Sequence, residues 1–466
     1  MASHIRDMTA GRPLPLLLRF ALPLMLGNMF QQLYTVVDTM VVGQALGVNA
    51  LAALGASDWL NWMVLGAVQG LTQGFSILMA QEFGARRQES LRTAVGNAVT
   101  LSAISAVLLT AISLLAARPL LVLLQTPAEI LHDSLTYLYI MYGAIPVVFT
   151  YNLLASTLRS LGDSRTPLLA MIVASFLNIG LDLLFVLVFH RGIAGAAFAT
   201  VLAQVAASGF CFAQLRRIPL LRLKKHHFRL QGPVAKRLLV LGSPMGLQNA
   251  VIAVGGIIVQ SVVNGFGVLF IAGYTATNKL FGLLEIAASS YGYGMTTYVG
   301  QNLGAGRIER IRAGMKAALG LAAVTSLIIA AAMLIFGRSI LSLFISGTPQ
   351  EVARTLDIAY YYLALMAVCL PVLYLLHVLR ASIQGMGNTV LPMASGAAEF
   401  VMRVAGAPLL PLWLGEVGIF YTEVAAWFGA NLILIPSWIA VLRRAQPFVP
   451  QQELPDGGES PLQEKS

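Results

Sequence analysis

Charge is scarce in this sequence. Of its 466 residues only 11% are Asp, Glu, Lys or Arg, against about 25% in soluble domains, too few to cover a water-facing surface of this size. Cysteine is scarcer still: Cys211 and Cys369 both fall inside apolar runs, and they imply neither a disulfide framework nor a metal site. No His-Glu-x-x-His, Gly-x-Ser-x-Gly or phosphate-loop pattern occurs, which leaves a membrane-embedded enzyme without a motif. No filter-like loop speaks for a passive channel either. Apolar sequence is what the chain has in abundance, with 57% hydrophobic residues and a mean hydropathy of +0.77.

The apolar residues gather into runs long enough to cross a hydrocarbon core of about 30 Å as helices. Barrel strands would alternate polar and apolar residues, and these runs do not, so the chain is expected to be all-α. Twelve spans are predicted, at 14–42, 50–80, 93–116, 135–158, 168–189 and 193–215, then 238–264, 269–299, 316–336, 358–380, 392–413 and 419–442. The first is too long for a signal-peptide core and is read as retained. The spans divide into a six-helix bundle over 14–215 and a second over 238–444, after an N-terminus of 1–13. A basic linker over 216–237 joins the bundles. Segments 118–134 and 338–357 read as amphipathic loop helices. The tail over 445–466 is polar, Pro/Gly/Glu-rich and reads as disordered.

The net charge of +10 is distributed by side rather than spread as a nucleic-acid surface. One set of alternate loops carries Arg6, Arg12, Arg86, Arg87, Arg159, Arg165, Arg307, Arg310, Arg312 and the linker cluster Arg216, Arg217, Arg222, Lys224, Lys225, Arg229, Lys236 and Arg237. The other set carries only Arg118, Arg191, Arg338 and Arg354. This bias places both termini and the linker in the cytoplasm, with the linker against anionic headgroups.

Motifs recur between the halves. Tyr137-Leu-Tyr-Ile-Met-Tyr-Gly-Ala-Ile-Pro146 parallels Tyr362-Leu-Ala-Leu-Met-Ala-Val-Cys-Leu-Pro371, and Leu161-Gly162-Asp163 through Pro167 parallels Met386-Gly387-Asn388 through Pro392. Gln81-Glu-Phe-Gly84-Ala parallels Gln301-Asn-Leu-Gly304-Ala, and Pro23 parallels Pro244. Each half has an even number of spans, so the repeats are parallel and related by a pseudo-twofold axis along the membrane normal.

At these residues, and in the first-helix pattern running from Pro23 through Gly27, Asn28, Gln31, Tyr34 and Asp38 to Gly43, the chain resembles the multidrug and toxic compound extrusion (MATE) family. The resemblance runs from about Leu14 to Arg444. It implies an antiporter that exports organic, often cationic compounds in exchange for Na⁺ or H⁺ by alternating access. A lipid-linked saccharide flippase of the wider superfamily is the alternative, and it would need a strongly cationic cleft.

Each ionisable group inside a span needs a reason, because a charge at the bilayer centre costs at least about 2.5 kcal/mol. Asp38 lies deep in the first span. Asn178 and Asp182 share one face of the fifth at i, i+4 spacing, and Thr200 lies on the sixth. Two carboxylates, an amide and a hydroxyl suit Na⁺, or a proton shared between the carboxylates. The resemblance to the DinF-like branch assigns Asp38, Asn178, Asp182 and Thr200 as the cation-coupling site, with Pro23 and Gly27 as hinge candidates. In the second half Asn178 maps to Arg403 and Asp182 to Ala407. The acidic pair of the NorM-like branch is absent there, with Ile252, Leu373 and Tyr374 at about those places.

Glu399 and Arg403, at i, i+4, read as a structural ion pair. Candidates to line a substrate cleft are Gln31, Tyr34, Met63, Gln69, Gln73, Asn152, Gln248, Gln260, Glu285, Tyr291, His377 and Arg380, since aromatic and Met surfaces accept varied cations. Lys279 is a further polar residue of the eighth span. No cofactor beyond Na⁺ or H⁺, no nucleic-acid partner and a monomer in the lipid of a plasma membrane complete the expectation.

Overall fold

A computed structural model describes residues 4–345 and 348–445. Within them the chain forms thirteen α-helices and no strand. The first half comprises α1 (Pro13–Leu46), α2 (Val48–Gly84), α3 (Gln88–Leu123), α4 (Ala128–Gly143), α5 (Ile145–Ser160), α6 (Arg165–Asp182) and α7 (Gly192–Leu215). The second comprises α8 (Gly232–Val263), α9 (Val268–Gly304), α10 (Ile308–Leu341), α11 (Pro349–Gly385), α12 (Val390–Leu414) and α13 (Gly418–Arg444).

Nine stretches are long and apolar enough to cross a membrane, and α4 with α5, bent by 48°, makes a tenth. The stretch Val390–Arg444 holds both α12 and α13, which part at Gly415 with φ +68°. Helix α9 is less apolar because it carries Lys279 and Glu285, yet it is 37 residues long like its repeat counterpart α2. With the bent pair taken once, thirteen helices make twelve passes in two bundles.

The repeat is not uniform. Pro146 and Pro371 occupy matching places, but the chain breaks before Pro146 and runs straight through Pro371 in a single 37-residue α11. Gly143 precedes the break where Val368 stands in the second half. Two expected loop helices do not exist as separate elements. Residues 118–123 extend α3 and 128–134 open α4, with Pro127 between them. Residues 338–341 extend α10 and 349–357 open α11. Helix α11 starts where Thr348 forms a capping box with Glu351 (Glu351 N–H to Thr348 Oγ1, 3.4 Å; Thr348 N–H to Glu351 Oε2, 3.0 Å), and Pro349 follows at the first turn.

The basic linker folds as two short 3₁₀ turns, Pro219–Leu221 and Lys225–Phe228, and α8 already starts at Gly232. Of the polar tail, only Ala445 lies within the described residues.

The bundles meet along two seams that the repeat makes equivalent: α2 against α8, and α9 against α1. Bilayer helices associate by packing rather than by expelling water, which favours small residues at crossings. The α2–α8 seam uses two Gly-x-x-x-Gly pairs, Gly70/Gly74 facing Gly242/Gly246. A methyl group at Gly70 would lie 2.5 Å from the Gly246 nitrogen, and one at Gly74 would overlap Gly242 Cα. On the α9–α1 seam side chains separate the backbones, with Phe20 and Leu17 lying 3.4 and 3.8 Å from a methyl placed at Gly294.

Helix α1 divides its packing. Leu17, Phe20 and Leu24 join the hydrophobic cluster of the second half. Past Pro23, a methyl placed at Gly27 would lie 3.5 Å from Leu168 Cα of α6, and the Phe30 carbonyl accepts from Ser175 Oγ (3.3 Å). The change of partner falls within one turn after Pro23, which removes one helical hydrogen bond.

Candidate functional site

The α1–α6 contact brings together the polar groups of the first half. Asp38, Asn178 and Asp182 are buried, and Thr200 of α7 is partly so. The Asp38 and Asp182 carboxylates come from different helices and lie within electrostatic reach of each other. With its nitrogen toward Asp182 Oδ2 (3.2 Å) and its oxygen accepting from the Thr200 N–H (3.3 Å), the Asn178 amide is doubly satisfied. The opposite orientation offers only Thr200 Oγ1 at 3.4 Å. Asp38 Oδ1 and Asp182 Oδ1 are buried with no hydrogen-bond donor among the described residues. A π-helical stretch, Leu183–Val188, follows Asp182 at once; such turns loosen a helix ladder beside functional groups.

Two adjacent buried carboxylates with oxygens to spare cannot both hold their charge without a compensating cation or proton. The donor set is all hard oxygen, which fits Na⁺ or a proton and not a soft metal. Tyr34 lies beside Gln31 and Thr35, within electrostatic reach of both carboxylates. Tyr137 of α4 is a buried phenol that also reaches Asp38, Asp58 and Asp182. The sequence had marked Tyr137 only as the opening residue of a repeat.

The other cleft candidates scatter. Met63, Gln69, Gln73 and Asn152 are partly or fully exposed on α2 and α5, and the Asn152 amide donates back to its own Val148 carbonyl (2.9 Å). Gln260 pairs with Asn264 Oδ1 (2.9 Å) at the far end of α8. Gln248 is buried and committed, its amide donating to the Pro392 carbonyl of α12 (2.9 Å). Tyr291 is also buried inside the second bundle, its hydroxyl 2.8 Å from Thr325 Oγ1. Both face helix neighbours rather than a cleft. Lys279 of α9 is exposed and lies within electrostatic reach of Asp58 of α2.

The second half holds a chain of charges. His377 Nε2 lies 3.3 Å from Glu285 Oε1. Three residues on, Arg380 donates to Glu399 and, at 3.2 Å, to Ser395 Oγ. The expected Glu399–Arg403 pair exists only at 3.9 Å. The main partner of Arg403 is instead Glu423 of α13, held by two hydrogen bonds of 2.9 and 2.6 Å. A planar guanidinium matches a carboxylate in this fork geometry.

Outside the spans, His226 and His227 of the linker converge on Glu89 Oε1 at 3.2 and 2.8 Å. The cluster resembles a metal site, but His227 Nδ1 accepts from the Lys224 N–H (2.7 Å). That leaves the proton on His227 Nε2, where a metal would need the lone pair. The cluster is a dock that holds the linker to α3, supported by Asn97 donating to the His227 and Arg229 carbonyls (3.1 and 3.2 Å).

Two helical bundles related by a repeat, with a buried carboxylate site between their helices, define a polytopic membrane transporter. A family model, MatE, matches residues 23–184 and 244–409, and the chain belongs to this family of multidrug transporters. It is 32% identical over 417 residues to a probable multidrug resistance protein, YpnP, of Bacillus subtilis, covering 89% of this chain and 92% of that one. A second B. subtilis protein, the probable multidrug resistance protein YoeA, is 30% identical over 349 residues, 73% of this chain and 74% of its own. The solved structure of a MOP superfamily transporter from Pyrococcus furiosus superposes with a TM-score of 0.87 at 23% identity, over 96% of this chain and 98% of that one, which shows the shared fold.

Proposed function

We propose that the protein is a secondary antiporter that exports organic, often cationic compounds in exchange for Na⁺ or H⁺. The carrying observation is the facing pair Asp38 and Asp182, buried on two helices with an unpartnered oxygen each. Ion or proton binding there neutralises their repulsion and draws the outer part of α1 onto α6. Loss of the ion frees α1 to bend at Pro23. Two bundles that rock about their seams then expose the cleft to one side at a time. By linkage, an ion that weakens substrate affinity must itself be weakened by substrate.

The basic face is cytoplasmic in this reading, with both termini there and the chain multi-pass in a plasma membrane. The resemblance to the DinF-like branch agrees with a first-half ion site. The second half supports a drug cleft over a pyrophosphate cleft, because Arg380 and Arg403 are each held by a glutamate and Lys279 has Asp58 within electrostatic reach.

Reconstituted protein should release a trapped fluorescent organic cation faster under an imposed Na⁺ gradient at fixed pH, or under a pH gradient without Na⁺. Efflux indifferent to both gradients would rule antiport out.

A further inference from the structure

The segment before α1 is built into the interface between the halves. On the first-half side, the Arg6 N–H donates to the Leu161 carbonyl (3.2 Å), and a methyl at Gly162 would overlap the Arg6 carbonyl. On the second-half side, the fully buried Met8 donates its N–H to Gln301 Oε1 (2.8 Å). Its carbonyl accepts from Asn302 Nδ2 (3.1 Å) and Arg310 Nη2 (3.3 Å). The Thr9 carbonyl accepts from Arg307 Nη1 (2.6 Å), and that of Gly11 from Arg310 Nη2 (2.9 Å). Asp7 reaches back to Arg86 in the corner between α2 and α3 at 3.7 Å, an exposed pair of small worth.

The repeat makes this arrangement more than incidental packing. The lead-in to α8 does the same in the opposite direction, residues 224–231 docking on α3 of the first half. The lead-in of each half's first helix therefore crosses to the other half. Between them run matched cross-braces: Gln81 Nε2 to the Gly385 carbonyl (3.2 Å) and Gln301 Nε2 to the Ser160 carbonyl (2.8 Å).

We propose that residues 5–11 are a latch that holds the basic face shut, and that their release permits this face to open. The proposal rests on the alternating-access reading. Opening must part both glutamine braces, and the segment is tied on either side of that line. Five hydrogen bonds join it to α9 and α10 or their corner, whereas one backbone bond joins it to the α5–α6 loop. The line of parting therefore runs between Arg6 and Leu161, and the latch stays with the second half. Because the latch continues directly into α1, a shift of Asp38 reaches it along one helix, interrupted only at Pro23.

The test uses the full chain in lipid nanodiscs, with Cys211 and Cys369 replaced by alanine. Spin labels at Gln88 and Glu309, both exposed on the first turns of α3 and α10, report the opening by pulsed dipolar distance measurement. Unaltered protein is expected to show a dominant short distance and a minor long one. Deleting residues 4–9, or making the double change Arg307→Ala/Arg310→Ala, should raise the long-to-short ratio about fivefold, because either change uncouples from the second half the Arg6–Leu161 bond that parts on opening. Arg86→Ala should move it less than about twofold. If the deletion does not fold, as judged by circular dichroism and monodispersity, the double variant decides. Two distances in the unaltered protein with an unmoved ratio in a folded variant would overturn the latch alone. A single distance under every Na⁺ and pH condition would overturn both the latch and alternating access.

Discussion

Along the α2–α8 seam the two halves touch backbone to backbone, whereas along the equivalent α9–α1 seam side chains intervene. The repeat registers explain the difference. Where α8 has Gly242 and Gly246, α1 has Ala21 and Met25; where α2 has Gly70 and Gly74, α9 has Ser290 and Gly294. One seam is a tight glycine crossing that fixes the bundles to each other. The other is bulkier, and its first helix also carries Asp38. The same inequality holds in the charges. The first half concentrates an unbalanced acidic pair at α1–α6, while the second half spreads compensated pairs over α9, α11, α12 and α13. The glutamine braces are matched between the halves, whereas the seams and the buried charges are not.

The largest effect that would sharpen this contrast lies in the second half. Arg403→Ala leaves Glu423 without its fork and should destabilise the protein by about 3–5 kcal/mol. A double change, Arg403→Met with Glu423→Gln, should recover most of it in detergent melting curves. A double variant as unstable as the single would mean that the pair does more than balance charge.

The symmetry of closure comes next. A methyl at Gly84 would overlap the Gln301 carbonyl, and one at Gly304 the Gln81 carbonyl. Gly84→Ala and Gly304→Ala should each cost about 1–3 kcal/mol and agree with one another in thermal unfolding. A marked inequality would break the claim that the braces are equivalent.

A smaller effect is expected at the rim of the ion site. Thr200→Val keeps the backbone N–H that serves Asn178 and removes only the hydroxyl. Apparent ion affinity, read from the Na⁺ or pH dependence of efflux, should fall by about fivefold, the worth of roughly one hydrogen bond. No change would remove the hydroxyl from the site.

Much of this was legible in the sequence. Apolar runs gave the passes, and i, i+4 spacing put Asn178 and Asp182 on one face. What failed was pairing across helices. Arg403 looked committed to Glu399 because they are neighbours in sequence, and nothing local points to Glu423 on the next helix. Gln248 and Tyr291 looked like cleft residues because helices apolar all round do not reveal which face turns inward. The repeated Gln81-Glu-Phe-Gly84 and Gln301-Asn-Leu-Gly304 were visible as repeats, but only the crossing backbones show why each glycine has no side chain. The paired Gly-x-x-x-Gly signals at 70/74 and 242/246 were there to be read. The lead-in at residues 5–11, Ile-Arg-Asp-Met-Thr-Ala-Gly, is short and without period, so beyond the charge of Arg6 it carried no signal of its docking.

The most direct test of a first-half ion site is ion-dependent stabilisation in purified protein. Melting temperature is followed against Na⁺ concentration at fixed pH, and against pH without Na⁺. The dependence seen in unaltered protein should vanish in Asp182→Asn. It should persist in Glu399→Gln, even if that variant melts lower throughout. Dependence that survives Asp182→Asn and is lost in Glu399→Gln would place the ion in the second half and contradict the account.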